Sequence, residues 1–174
     1  NTKATVNVSG IIAERYPETV RKNAEAGHEI VAHSYTMDMI PAYLTDQEER
    51  DNIRHTTVLI ERATGVRPKG WISPRSTPSL RTPRLLAEAG FEWHGDTLND
   101  DLPYLIDFGS HSIIAFPNNT EVNDLPLYMR YGNAPQVMFE IFEHWLQCAR
   151  ERETGAVRVD PAIHTHVFGR SPGL

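Results

Sequence analysis

Residues 70–104 read GWISPRSTPSLRTPRLLAEAGFEWHGDTLNDDLPY. The run opens on a short apolar segment with Trp71 and Ile72, then sets Arg75 among Ser73, Pro74 and Ser76. A helical stretch follows. Thr82 is placed to cap it, Pro83 suits its first turn, Leu85, Leu86 and Ala89 form its apolar stripe, and Gly90 ends it. Residues 91–94 form a second short strand, after which Asp96 opens a loop or irregular insertion reaching Gly109, with Asn99, Asp100 and Asp101 inside it. Polar groups therefore follow both strand-like segments. In α/β folds the C-terminal ends of strands are where chemistry is built.

The same alternation extends in both directions. Residues 3–9 alternate around Ala4, Val6 and Val8 and predict a strand. A helical stretch after Gly10 takes Pro17 in a first turn and ends at Gly27, and Ile30, Val31 and Ala32 then run as a strand into His33. Pro41 marks a loop. Thr45 begins T-D-Q-E, a capping box opening a helix with Ile53, Thr57 and Ile60 on one face and Gly65 at its end. Residues 69–73 are the next strand. Beyond residue 109, residues 111–116 predict a strand and residues 117–133 a long surface loop. Pro135 starts an amphipathic helix with Val137, Met138, Ile141, Phe142, Trp145, Leu146 and Ala149 at helical spacing, ending at Gly155. VRVDPAIH, residues 157–164, predicts a last strand that reaches His164. This order predicts an α/β fold with a mostly parallel sheet and helices outside it, either a (β/α) barrel or an open doubly wound sheet.

At 174 residues the chain fits one domain, residues 1–174, and its 40% hydrophobic content is that of a globular protein. A net charge of −6 argues against a general nucleic-acid binder, which needs a basic face. No apolar run approaches the ~20 residues of a membrane span. No leader peptide is visible, so cytoplasm is the default location. Neither G-x-G-x-x-G nor G-x-x-x-x-G-K-[ST] occurs, so a nucleotide site lacks its usual support. Cys148, the single cysteine, falls inside the apolar pattern of the long helix and reads as a buried, inert thiol.

Each candidate for chemistry has an ordinary reading beside the functional one. His33 ends an apolar strand, as a structural hydrogen-bonder or as a neutral imidazole ligand for a divalent metal. His164 also ends a strand, and alternation would put His166 on the same face; a histidine there suits acid–base work. Arg75 is either a solvated loop arginine or a bidentate clamp on an active-site carboxylate. Asp96, Asp100 and Asp101 read as a solvated acidic loop, with Asp96 set apart because it directly follows a strand. Trp71 is a core residue or lines a pocket. Leu125, Leu127, Tyr128 and Tyr131 suit either self-packing or a homo-oligomer interface.

Taken together, KATVNVSG, AERYPETVRKNAEAGHEIVAHSY, TGVRPKGWISPRSTPSLRTPRLLAEAGF, DTLNDDLPY and IHTHVFGRSPG resemble the polysaccharide deacetylase (NodB-homology) superfamily across nearly the whole chain. The combination of G-W-x-x-x-R, N-D-D-L-P-Y and I-H-x-x-x-x-G-R resembles its allantoinase-like branch of cyclic amide and imide hydrolases. That resemblance implies a distorted (β/α) barrel with its site at the strand C-termini, and hydrolysis of non-peptide carbon–nitrogen bonds. It implies His33 as a metal ligand, for zinc or a similar divalent ion, and Arg75 as the tether of an aspartate base. His164 becomes the acid. Trp71, Asp96, Asn99 and Tyr104 become substrate-binding residues. Met37 stands where the second metal histidine would fall, as in the allantoinase-like branch. The paired-aspartate motif of the superfamily is expected upstream of residue 1, and a further helix is expected beyond Leu174. The substrate implied is a small cyclic amide of the allantoin or imide type. An N-acetyl-sugar deacetylase and a non-catalytic binding module that kept the barrel are the alternatives.

Overall fold

The computed structural model describes residues 2–169; Arg170 of the late I-H-x-x-x-x-G-R motif lies outside them. Six strands form one sheet: β1 (Thr5–Val8), β2 (Glu29–Ala32), β3 (Gly70–Trp71), β4 (Trp93–Thr97), β5 (Tyr104–Asp107) and β6 (Ser112–Pro117), in the order β1-β2-β3-β4-β6-β5. The first four are parallel, with Val8 opposite Ala32, Ala32 opposite Trp71, and Trp71 opposite His94. β5 runs antiparallel to β6, with Tyr104 opposite Ala115. The sheet is mostly parallel, as the strand–helix alternation predicts, and among the described residues it stays open.

The helices are α1 (Gly10–Arg15), α2 (Pro17–Glu25), α3 (Asp46–Thr64), α4 (Thr82–Glu88) and α5 (Pro135–Arg152). α3 starts where its sequence demands. Thr45 Oγ1 accepts from the Glu48 amide and Glu48 reaches back to the Thr45 amide. Gly65 closes the helix at φ 76°, a left-handed conformation that a side chain would oppose. Its inner face buries Ile53, Thr57 and Ile60 against α1 and α2. Trp71 is wholly buried, edge-on to Phe91 at 5.8 Å between ring centroids. Truncating an indole so enclosed removes on the order of 3–5 kcal/mol.

The described residues group into two compact units, one of residues 2–97 and 103–116, the other of residues 98–102 and 117–169. Among the described residues no helix is long and apolar enough to cross a membrane.

Five local expectations are corrected. Asp96 lies within β4, not in a loop after it, because the strand runs on to Thr97. The insertion assigned to residues 96–109 contains β5, whose partner β6 is supplied from further along the chain. Thr82 is the first residue of α4 and does not cap it; the Ser79 hydroxyl accepts from the Arg81 and Thr82 amides instead. The strand predicted over residues 157–164 reduces to one parallel bridge, Asn123 with Ala162, because Pro161 interrupts it. The alternation argument for His164 and His166 therefore lapses, although their rings lie 5.7 Å apart. Cys148 is only half-buried, 3.6 Å from His144 Nε2.

Gly70 has a steric role: a Cβ there would overlap the indole of Trp93. That indole is held by its N–H donating to Glu29 Oε1 at 3.2 Å and by Phe116 at 5.4 Å between ring centroids. Gly70→Ala is expected to cost about 1–3 kcal/mol through overpacking. Denaturant unfolding tests this, and an unchanged midpoint would show that the ring moves freely.

Candidate functional site

In the first unit the C-terminal edge of the parallel strands carries His33, Ser34, Ser73, Arg75 and Asp96. Hydrogen bonds tie the successive strand ends together. His33 Nδ1 lies 2.5 Å from the Ile72 carbonyl. A carbonyl only accepts, so this nitrogen carries the proton and the imidazole lone pair is on Nε2, the arrangement common in metal-binding histidines. The next residue, Ser73, donates its amide and its hydroxyl to the two oxygens of Asp96, each at 2.7 Å. The Trp71 indole N–H donates to Ser73 Oγ at 3.0 Å. Trp71 thus acts from within the core, as a support for the Ser73–Asp96 pair.

Backbone strain gathers on the same edge. Ser34, Arg75 and Ser76 hold φ of 54°, 57° and 50°, positions that non-glycine residues rarely occupy. Such conformations persist where the surroundings over-determine them, and they cluster at functional sites. Asn52 on α3 fixes the first of these turns, donating to Ser34 Oγ at 3.1 Å and accepting from the Tyr35 amide at 2.8 Å. Arg75 itself is exposed. Tyr104 starts β5, half-buried.

In the second unit the buried carboxylate of Asp124 holds His164 at two points. It accepts from the His164 amide at 2.7 Å and faces the ring Nδ1 at 2.6 Å. Asp124 is fully buried, whereas the His164 side chain is 36% exposed. A short π-helical segment, Leu125–Arg130, begins directly after Asp124, and the Asp124 amide donates to the Ala162 carbonyl at 3.2 Å. With Nδ1–H given to the carboxylate, Nε2 is the ring atom left to exchange protons, the logic of a carboxylate–histidine pair. Sequence reasoning missed Asp124 by placing it in a surface loop. A signal existed: Asn123-Asp124-Leu125-Pro126 echoes Asn99-Asp100-Asp101-Leu102-Pro103. Asn99 is exposed, beside a cavity of about 180 Å³ lined by Asp100, Asp101, Glu121, Trp145 and Arg158 among others.

His33 has the disposition of a metal ligand, but among the described residues no three His, Cys, Asp or Glu side chains converge on a point that could hold an ion. Met37, half-exposed, offers no hard donor in place of a histidine. The described residues do not make a metal site by themselves.

A parallel sheet with chemistry-bearing side chains along its C-terminal edge defines an α/β enzyme-type scaffold. The model of the polysaccharide deacetylase family matches residues 1–94, and the chain belongs to that family. It is 33% identical over 97 residues to a peptidoglycan deacetylase of Helicobacter pylori (strain ATCC 700392 / 26695), covering 55% of this chain and 33% of that protein. Among solved structures it is similar to Puue allantoinase, with a TM-score of 0.84 and 24% identity, covering 97% of this chain and 57% of that one. It is also similar to a protein from Mycobacterium smegmatis provisionally assigned as a polysaccharide deacetylase, with a TM-score of 0.77 and 28% identity, covering 87% of this chain and 55% of that one. The chain thus spans about a third of its curated relative and little more than half of these structures.

Two buried groups on β4 titrate in opposite senses. Burial pushes the Asp96 carboxyl up from 3.8 to about 6; the Ser73 hydrogen bonds pull the other way and the charge of Glu49 adds to the rise. Burial lowers His94 from 6.5 to about 4. The folded protein keeps the Asp96 proton where the unfolded chain has released it. That contribution to stability is full below about pH 4 and is lost as pH rises to about 6. The folded protein refuses a proton at His94 that the unfolded chain accepts, so that contribution is full above 6.5 and is lost as pH falls to about 4. The two slopes oppose each other. Asp96→Asn removes one of them, so stability of the variant relative to the parent should shift by on the order of 2–3 kcal/mol across this window, falling toward acid. Unfolding curves recorded between these limits test it; parallel pH profiles for the two proteins would contradict the assignment.

Proposed function

We propose that the protein hydrolyses a non-peptide carbon–nitrogen bond, with His164 as the acid that protonates the leaving nitrogen. The observation that carries this reading is the Asp124–His164 pair. An amide nitrogen leaves as an amine only if it gains a proton, because the amide anion is a very poor leaving group. A histidine with one nitrogen anchored on a buried carboxylate presents the other in a fixed direction.

Arg75 takes the role of tether for a carboxylate that serves as base, through a bidentate hydrogen-bonded pair. No carboxylate lies in ion-pair contact with it among the described residues. Asp96 acts as a positioning group through Ser73, while Asn99 and Tyr104 are assigned to substrate contact.

For the substrate we favour a small cyclic amide of the allantoin or imide type. The support is G-W-x-x-x-R with N-D-D-L-P-Y, and Met37 in place of a second metal histidine. A second reading, an N-acetylated sugar, is supported by the relationship to a peptidoglycan deacetylase. The polar cavity edged by Trp145 also favours it, since an indole face and carboxylates suit a hydroxyl-rich ring.

His164→Ala in the intact protein is expected to lower turnover by roughly 10²–10⁴ with the fold retained. Asp124→Asn should lower it by ~10² or more by releasing the ring orientation. Turnover is measured on hydantoin, allantoin and imide rings beside N-acetylated chitooligosaccharides. Activity confined to the sugars replaces the cyclic-amide reading with the second one. Undiminished turnover in His164→Ala removes the pair from the reaction.

A further inference from the structure

A buried acid that the mechanism above does not use lies at the start of α3. Glu49 has no exposed surface, although it sits in the acidic first turn of a helix, where carboxylates usually face solvent. It accepts from Ser79 Oγ at 2.7 Å and from Thr82 Oγ1, and Arg81 Nη2 lies 3.5 Å away. Ser79 and Arg81 belong to the connection between β3 and α4, and Thr82 is the first residue of α4. That connection is closed on itself, with Ser79 Oγ accepting from the Arg81 and Thr82 amides while the Ser79 amide donates to Thr82 Oγ1 at 2.8 Å.

The segment between Ser73 and Ser79 is therefore fastened to a buried carboxylate at each end, Asp96 at the first and Glu49 at the second. Arg75 and Ser76 lie between the two anchors, both in left-handed backbone. Among the described residues the bonds inside the turn are local: the Ser76 amide to the Ser73 carbonyl at 3.0 Å, and the Thr77 amide and hydroxyl to the Pro74 carbonyl at 3.3 and 2.7 Å. Local bonds of this kind equally suit a relaxed turn, so the strained conformation depends on the fixed ends.

We propose that Glu49 is a positioning residue for Arg75, holding the far end of the turn that presents the guanidinium. The idea rests on the hydrolase reading for its effect on turnover, but not for its effect on the turn. A carboxylate suits the task because it accepts several hydrogen bonds at once. The partial positive charge of the α3 N-terminus also favours an anion there.

The test uses the intact protein and the variants Glu49→Ala, Glu49→Gln, Arg75→Ala and Glu49→Ala/Arg75→Ala. Glu49→Ala is expected to lower kcat/KM about tenfold to a hundredfold, as misplacement of a reacting group does, and Glu49→Gln should recover most of that loss. If Glu49 acts through Arg75, the double variant loses no more than Arg75→Ala alone. Losses that multiply would overturn the proposal, as would full activity in Glu49→Ala. Hydrogen exchange supplies a readout without substrate. The Ser76 and Thr77 amides should exchange faster in Glu49→Ala and near-normally in Glu49→Gln, with β1 and β2 unchanged. Unchanged exchange at the turn overturns the proposal even if turnover falls. If the parent protein turns over none of the substrates while the turn loosens as described, the hydrolase reading fails and the anchoring role stands.

Discussion

The grip of the Asp96 carboxylate on Ser73 is the interaction on which the C-terminal edge of the sheet in the first unit depends. The carboxylate takes the backbone and hydroxyl donors of Ser73 together and so fixes where the chain leaves β3. A carboxylate removed from water costs several kcal/mol unless its lone pairs are filled, and here two short bonds fill them only in part. The proton affinity of Asp96 stays raised, a sign that desolvation still outweighs the bonds it receives. The same serine takes the Trp71 indole N–H, which links the grip to the core. The preceding carbonyl, of Ile72, takes the His33 ring. One carboxylate thus orders the ends of β3 and β4, and the end of β2 follows through its neighbour.

Much of this framework was legible in the residues. The capping box at Thr45 and the glycines at 27, 65 and 90 mark element ends by local chemistry alone, and local chemistry does not depend on distant partners. His33 and Arg75 could be set at strand ends for the same reason. What escaped was non-local. Tyr104–Asp107 reads as Y-L-I-D beside an acidic run, and only its pairing with β6 makes it a strand. The stretch before His164 has strand-like composition, yet Pro161 and the lack of a laddered partner leave one bridge. Thr82 falls inside α4 with Arg81 before it, and the Ser79 hydroxyl takes the Arg81 and Thr82 amides because the chain turns back on itself there, a geometry that propensity does not encode.

The missed site residues share a cause. Glu49 and Asp124 are acids in acidic or polar surroundings, and pattern reading assigns such acids to solvent. Their burial is decided by the donors that fold over them: Ser79 and Thr82 over Glu49, and the amide and ring of His164 over Asp124. In neither case does sequence separation hint at the contact, which spans thirty residues or more.

Asp96, Glu49 and Asp124 are the three buried acids among the described residues, and their partners separate their roles. Asp96 is bonded to an amide and a hydroxyl that do not titrate near neutral pH, so the pair can transmit position but not protons. Glu49 is bonded to two hydroxyls and lies near an arginine, again groups that keep their protons. Asp124 alone faces an imidazole, and that imidazole is partly open to its surroundings while the acid is not. On the proposed reading, His164 meets the substrate while Asp124 orients the ring. Of the three carboxylates, Asp124 is the one whose chemistry reaches the surface. Asp96 and Glu49 hold groups of the first unit only.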